Sequence, residues 1–196
     1  METKVTRYVP IEFRSQEEKE SRTVGGLSAV FRQTTDMGWY TEEIDPHAFD
    51  EADMSDVVLT LNHNFDYVLA GTRNGSLKLG ITDDGLANEA TIVDTTQGND
   101  CLKFVREGLI NKQSFCFVID EDEWVYREGK EKDHRIIKRI GKVFDTALVT
   151  FPAYPQTSVG IRSKSDLDPL AKKHFEQKEI DKKMEEQIDG FIKNFV

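Results

Sequence analysis

The feature that most constrains this chain is a two-residue alternation of apolar and polar side chains that recurs through its first 163 positions, cut repeatedly by Gly, Asp and Pro. Successive strand residues point to opposite faces, so each such run predicts a half-buried strand, and a succession of them predicts a sheet protein. Val9, Ile11 and Phe13 form one run. Ser15 to Thr23 reads as a polar loop, after which Gly25-Gly26 opens a strand through Leu27, Ala29 and Phe31. Val57-Val58-Leu59-Thr60-Leu61 is a short apolar run, the mark of a strand buried on both faces. Leu77, Leu79 and Ile81 lead into Asp83-Asp84-Gly85, and Leu86, Asn88, Ala90 and Ile92 lead away from it. That is a β-hairpin, with Gly85 supplying a positive φ. Ser114–Ile119 and Val143–Val149 alternate again, and Pro152 and Pro155 stop regular pairing.

Helical signals are few. Asp45-Pro46 predicts a short helix through Ala48 and Phe49, with Asp45 as its cap. Asn99–Glu107 changes to helical spacing (Cys101, Leu102, Val105), closed by Gly108. Beyond Ser163 the character shifts to a charged tail, 164–196. Its Ile180, Met184, Ile188, Phe191 and Phe195 form one apolar stripe on a helix. That stripe docks either on its own domain or on a partner chain. The expected division is a domain over 1–163 and a helical tail over 164–196.

A formal net charge of −10 argues against nucleic acid as the partner, since such binders carry a basic footprint. No run of about 18 apolar residues exists to span a membrane. The start, Met1-Glu2-Thr3-Lys4, has no signal-peptide character. Two cysteines, Cys101 and Cys116, make neither a disulfide framework nor a zinc site. A reducing, intracellular compartment is the simplest expectation, with no metal and no cofactor.

Three residues stand out chemically. His63 follows the apolar run that ends at Leu61, where a rigid strand positions a side chain without burying it. Histidine is the usual general base at neutral pH, and a serine needs such a base to act as a nucleophile. Ser114 enters a strand on which Phe115 and Phe117 face one side, leaving Ser114 and Cys116 on the other. No Gly-x-Ser-x-Gly is present, so the α/β-hydrolase elbow is excluded. Asp145 shares a strand face with Val143, Ala147 and Val149, and a carboxylate there requires a partner. A histidine ring nitrogen would satisfy it and fix that ring's tautomer; a salt bridge to Arg or Lys would serve as well. His63 with Asp66 falls short of a metal site, because no further ligand is nearby.

The order His63, Ser114, Asp145 sits within a longer series of motifs. These are Leu61-Asn62-His63-Asn64, Leu69-Ala70-Gly71-Thr72, Leu77 to Leu79, Asp83-Asp84-Gly85-Leu86, Asp94-Thr95 and Gly98-Asn99-Asp100. Val105-Arg106-Glu107-Gly108, Ser114-Phe115, Trp124 and Val149-Thr150-Phe151-Pro152-Ala153-Tyr154-Pro155-Gln156-Thr157 follow. From about Arg7 to Ser163 the chain resembles the tailed-phage prohead (capsid maturation) serine protease family. The resemblance implies a mostly β α+β fold related to herpesvirus assemblin: a closed or partly open β-barrel flanked by helices. It implies Ser114 as nucleophile, His63 as base and a capsid-maturation endopeptidase acting inside the assembling prohead in the host cytoplasm. Its substrates would be scaffold, or the scaffold-like segment of the capsid protein, and the protease's own tail; relatives suggest a homodimer. Two positions depart from the family pattern. Cys116 stands where Gly is common, and Asp145-Thr146-Ala147 replaces a Glu followed by Val-Ser. Herpesvirus relatives use a second histidine as third member, which makes His134 a rival to Asp145. Arg135 and Arg139 lie near the Asp145 strand, where surface pairing is the expected role. The alternatives are a cysteine hydrolase using Cys116 and a non-enzymatic scaffold or capsid-assembly module.

Overall fold

The computed structural model describes residues 21–128, 131–151 and 157–161. The strand expected at Val9–Phe13, both prolines of the Pro152–Pro155 stop and the 164–196 tail lie outside them. Among the described residues ten strands and one helix follow in order. They are β1 (Thr23–Val30), β2 (Thr35–Asp36), β3 (Tyr40–Ile44), β4 (Val58–Leu61), β5 (Asn64–Gly71), β6 (Leu77–Thr82) and β7 (Gly85–Thr91). Then come α1 (Thr96–Arg106), β8 (Lys112–Val125), β9 (Asp133–Val149) and β10 (Ser158–Ile161).

These strands make two sheets, one ordered β10-β1-β7-β6 and the other β2-β3-β9-β4-β5 with β8 added against β9. Both sheets feed one core, in which Val24, Leu86 and Ala90 of the first meet Ile44, Leu59, Phe115 and Leu148 of the second. The mostly β class agrees with expectation, but the sheets do not close into a barrel. Isolated backbone hydrogen bonds join them instead, Val93 N–H to Leu69 C=O at 2.9 Å and Val159 N–H to Asn111 C=O at 3.1 Å.

The β6–β7 hairpin has the expected two-residue loop, since Thr82 pairs with Gly85 around Asp83-Asp84. Gly85 is required there for two reasons. Its φ is 152°, and a Cβ would stand 2.0 Å from the Ala29 carbonyl oxygen of β1. The helix α1 begins where Thr95 accepts a hydrogen bond from the Gly98 N–H, and Gly108 leaves it in the left-handed conformation at φ 69°.

Two expectations differ from the structure. After Asp45-Pro46 no α-helix forms among the described residues. Asp45 does cap the His47 N–H, but the chain then makes four-residue turns from Asp45 to Ala48, His47 to Asp50 and Phe49 to Ala52. Burial of Ala48 and Phe49 in the core holds this turn where local propensity favours a helix. Strands β8 and β9 also run far beyond Ile119 and back from Val143. Their extension is a charged ribbon whose alternation is hidden by cross-strand pairs. Asp122 meets Arg135 at 2.6 Å and Asp120 meets Arg139 at 2.9 Å.

Gly85→Ala is expected to lower stability by about 1–3 kcal/mol, the usual cost of forcing volume into a filled site. A urea midpoint equal to that of the parent would show that β1 gives way freely.

Candidate active site

The central sheet sets out the candidate residues by register. β9 pairs in parallel with β4, Val58 opposite Asp145 and Thr60 opposite Ala147. On its other side β9 pairs antiparallel with β8, Ala147 opposite Ser114 and Asp145 opposite Cys116. Directly registered residues project to the same face of a sheet. One row therefore reads Thr60, Ala147, Ser114 and the next Val58, Asp145, Cys116. Gln113, Phe115, Thr146 and Leu148 take the opposite face, toward the core, so Ser114 and Asp145 occupy the outer face.

His63 comes to this face from a turn. Leu61 pairs with Asn64, which leaves Asn62-His63 as a two-residue loop. Their φ values are 52° and 56°, both left-handed, as a type I′ hairpin turn demands. Glycine would relieve the second position, and an L-residue there costs on the order of 1–2 kcal/mol. The strained site holds an imidazole, whose Nδ1 lies 3.0 Å from Asp145 Oδ1 and 3.1 Å from Oδ2.

Asp145 is wholly buried. A desolvated carboxylate is tolerable only with donors on its oxygens. Besides His63, the Thr60 hydroxyl donates to Asp145 Oδ2 at 2.6 Å. A carboxylate only accepts, so Nδ1 carries the hydrogen and Nε2 keeps its lone pair to receive a proton. Side chains with this bonding pattern are ready to act as a base toward a hydroxyl on the same face. Ser114, one strand over from the small Ala147, retains 6% of its surface. No hydrogen bond joins it to His63 among the described residues, and such contacts commonly tighten only when substrate binds.

Behind the outer face lies a buried polar cluster. Asn88 of β7 donates to Ser28 at 3.0 Å and to Thr146 at 3.3 Å, and Gln113 donates back to Asn88 at 3.1 Å. Gln113 directly precedes Ser114, and Thr146 directly follows Asp145. Thr157 adds a clamp on the Gln113 backbone, its hydroxyl accepting from the N–H at 3.2 Å and donating to the C=O. This network ties β8 and β9 to β1 and β7, and so holds the register that puts Ser114 and Asp145 on one face.

The other candidates stand elsewhere. His134 is eleven residues before Asp145 on β9, on the order of 35 Å away at ~3.3 Å per strand residue. It bonds Thr41 at 2.9 Å and faces Glu43 at 3.5 Å. Arg135 pairs with Asp122 and Glu42, and Arg139 with Asp120 and Glu121, so both serve the charged ribbon. Cys116, on the same face as Ser114, is exposed. Its thiol is pushed up, first by partial burial and then by the Asp145 carboxylate, which keeps it protonated at neutral pH. Cys101 is buried in the core, and that burial pushes its thiol up to about 12. Among the described residues no cluster of three His, Cys, Asp or Glu side chains could hold a metal, and no helix is long and apolar enough to cross a membrane.

Sequence reasoning overlooked Thr60 and the Asn88 cluster. Each left a signal: a hydroxyl within an apolar run, and an amide at an inward position between Leu86 and Ala90, must find a buried partner.

A buried carboxylate that orients an imidazole, with a serine on the same sheet face, is the layout serine hydrolases use. The chain matches the Caudovirus prohead serine protease family over residues 9–173, and it belongs to that family. No curated protein matches it in sequence. Among solved structures it is similar to the KSHV protease crystallised with a hexapeptide phosphonate inhibitor, at 11% identity and a TM-score of 0.41. That likeness covers 70% of this chain and 63% of the KSHV chain.

Thr60→Val keeps the shape of the side chain but removes a donor to a buried charge. We expect a loss of about 1.5–3 kcal/mol, the range for hydrogen bonds to charged groups. Chemical denaturation of the purified variant measures it, and an unchanged midpoint would mean that water replaces the hydroxyl.

Proposed function

We propose that this chain is the serine endopeptidase of phage capsid maturation, with Ser114 as nucleophile, His63 as general base and Asp145 as the group that orients His63. The observation that carries the reading is the His63–Asp145 hydrogen bond on the face that also presents Ser114. Membership in the prohead protease family supports the substrate: scaffold or the scaffold-like segment of the capsid protein, inside an assembling shell, and the enzyme's own 164–196 tail.

The chemistry runs in two halves. Ser114 Oγ bonds to the scissile carbonyl carbon while His63 Nε2 takes the hydroxyl proton. The imidazolium passes that proton to the amide nitrogen, the C–N bond breaks, and the amine leaves an ester on Ser114. Water, deprotonated by the same nitrogen, then attacks the ester; the bond to Ser114 Oγ breaks, the imidazolium returns its proton to that oxygen, and the acid is released. Asp145 keeps Nδ1 protonated throughout and stabilises the imidazolium. Thr60 holds Asp145 in place.

Expression of the full chain tests this directly. We expect a shortened product that has lost its tail, and only full-length protein for Ser114→Ala. Truncation that persists in Ser114→Ala would assign the cut to another protease and leave a capsid-assembly module as the better reading. Asp145→Asn is expected to fold and to lose up to ~10⁴-fold in turnover, as orienting aspartates do. His134→Gln is expected to change turnover little. A reversal of those two effects in a peptide-hydrolysis assay would reassign the third role. Cys116→Ala should remain active, whereas loss comparable to Ser114→Ala would favour the thiol as nucleophile.

A further inference from the structure

Beside the outer face of β4 and β5 lies an open groove of about 510 Å³. Val58, Val68, Phe65 and Phe144 are among its walls. Its rim charges, Arg73 and Asp56, are paired with each other. Phe65, Val68 and Phe144 are exposed, a concentration of apolar surface that an otherwise polar, acidic chain does not need for folding.

Two irregularities build this groove. Cys116 pairs with Asp145 and Phe117 with Val143, so Phe144 is an extra residue in β9. Such a bulge re-aims a side chain, and Phe144 lines the groove rather than the core that holds Val143. In β5, Thr60 pairs with Val68 while Leu61 pairs with Asn64, which extrudes the intervening Phe65-Asp66-Tyr67.

The groove is continuous with the candidate site by register. Val58 stands opposite Asp145, and Val68 stands in the row that runs through Thr60 and Ala147 to Ser114. His63 comes from the β4–β5 turn and bonds Asp145 of β9, so it stands on the same side of Ser114 as the strands that line the groove. Its imidazole is the group that protonates the departing amine, so the peptide leaving with that amine is directed toward the groove.

We propose, on the strength of the serine endopeptidase reading, that this groove is a specificity pocket. It takes a large apolar side chain of the substrate on the C-terminal side of the cut. Ser114 to Val68 spans three strand spacings of ~4.8 Å, about 14 Å, which an extended peptide covers in about four residues. The paired rim charges leave no free charge to recruit a polar occupant, and the lining matches Leu, Ile, Met or Phe.

The purified full-length enzyme should be offered a mixed peptide pool from a digested proteome, with both ends of every product sequenced. We expect enrichment of large apolar residues three to five positions after the cut. In a synthetic pair carrying Phe or Ser at the enriched position, the parent should favour Phe through KM. The Val68→Ser, Phe144→Ser double variant should lose at least tenfold of that preference. Phe144→Leu, which keeps an apolar wall, should retain it and serves as the control for folding. Cleavage with no apolar enrichment after the cut, or a preference the double variant leaves intact, overturns the pocket while the endopeptidase reading stands. A chain that cuts neither peptides nor itself overturns both.

Discussion

The structure turns on one costly arrangement, an ionisable carboxylate buried completely in the middle of a sheet. Asp145 has no surface exposed, and among the described residues the Thr60 hydroxyl and the His63 ring are the donors that make its position tolerable. Those two donors come from β4 and from the turn that follows it. The parallel register of β4 on β9 is therefore not free to slip, because a one-residue shift would turn Thr60 to the wrong face. The same need explains why a left-handed turn position is filled by histidine. Backbone strain of the order of a kcal/mol is offset where the ring N–H donates to a buried carboxylate.

Sheet alternation lets neighbouring residues do opposite jobs. Gln113 and Ser114 are adjacent in the chain, as are Asp145 and Thr146, yet one of each pair faces the core and the other faces outward. The inward members share the Asn88 and Ser28 cluster, which ties the two sheets together without closing them into a barrel. Every polar atom there is costly unless satisfied, so the cluster specifies a register more sharply than apolar packing alone. Position on the outer face is thus a consequence of bonding on the inner one.

The far end of the long β8–β9 ribbon has a separate character. Its carboxylates and arginines pair across the strands, Arg135 lies 5.6 Å above the Trp124 ring, and His134 bonds Thr41 and faces Glu43. None of these groups reaches the Asp145 region. The ribbon's charges pair where β9 runs between β3 and β8, while the candidate chemistry is gathered at the opposite end. An exposed cysteine beside Asp145 is kept protonated by partial burial and by that carboxylate.

The mostly β class, the Asp83-Asp84 hairpin, the helix closed at Gly108 and the prominence of His63, Ser114 and Asp145 were legible in the chain itself. All are local signals: two-residue alternation, a turn residue, a cap, or a polar group where an apolar one is expected. The number of sheets, the extension of β8 and β9 under a cover of charges, and the turn in place of a helix after Pro46 were not legible. Each depends on partners far away in sequence. The same holds for Thr60, whose role exists only because β4 lies beside β9, and for whether Asp145 meets a histidine or a salt bridge. Residue type determined which groups needed partners; only the tertiary pairing of strands decided which partners they met, because hydrogen bonds across a sheet join segments whose separation along the chain carries no information about their register.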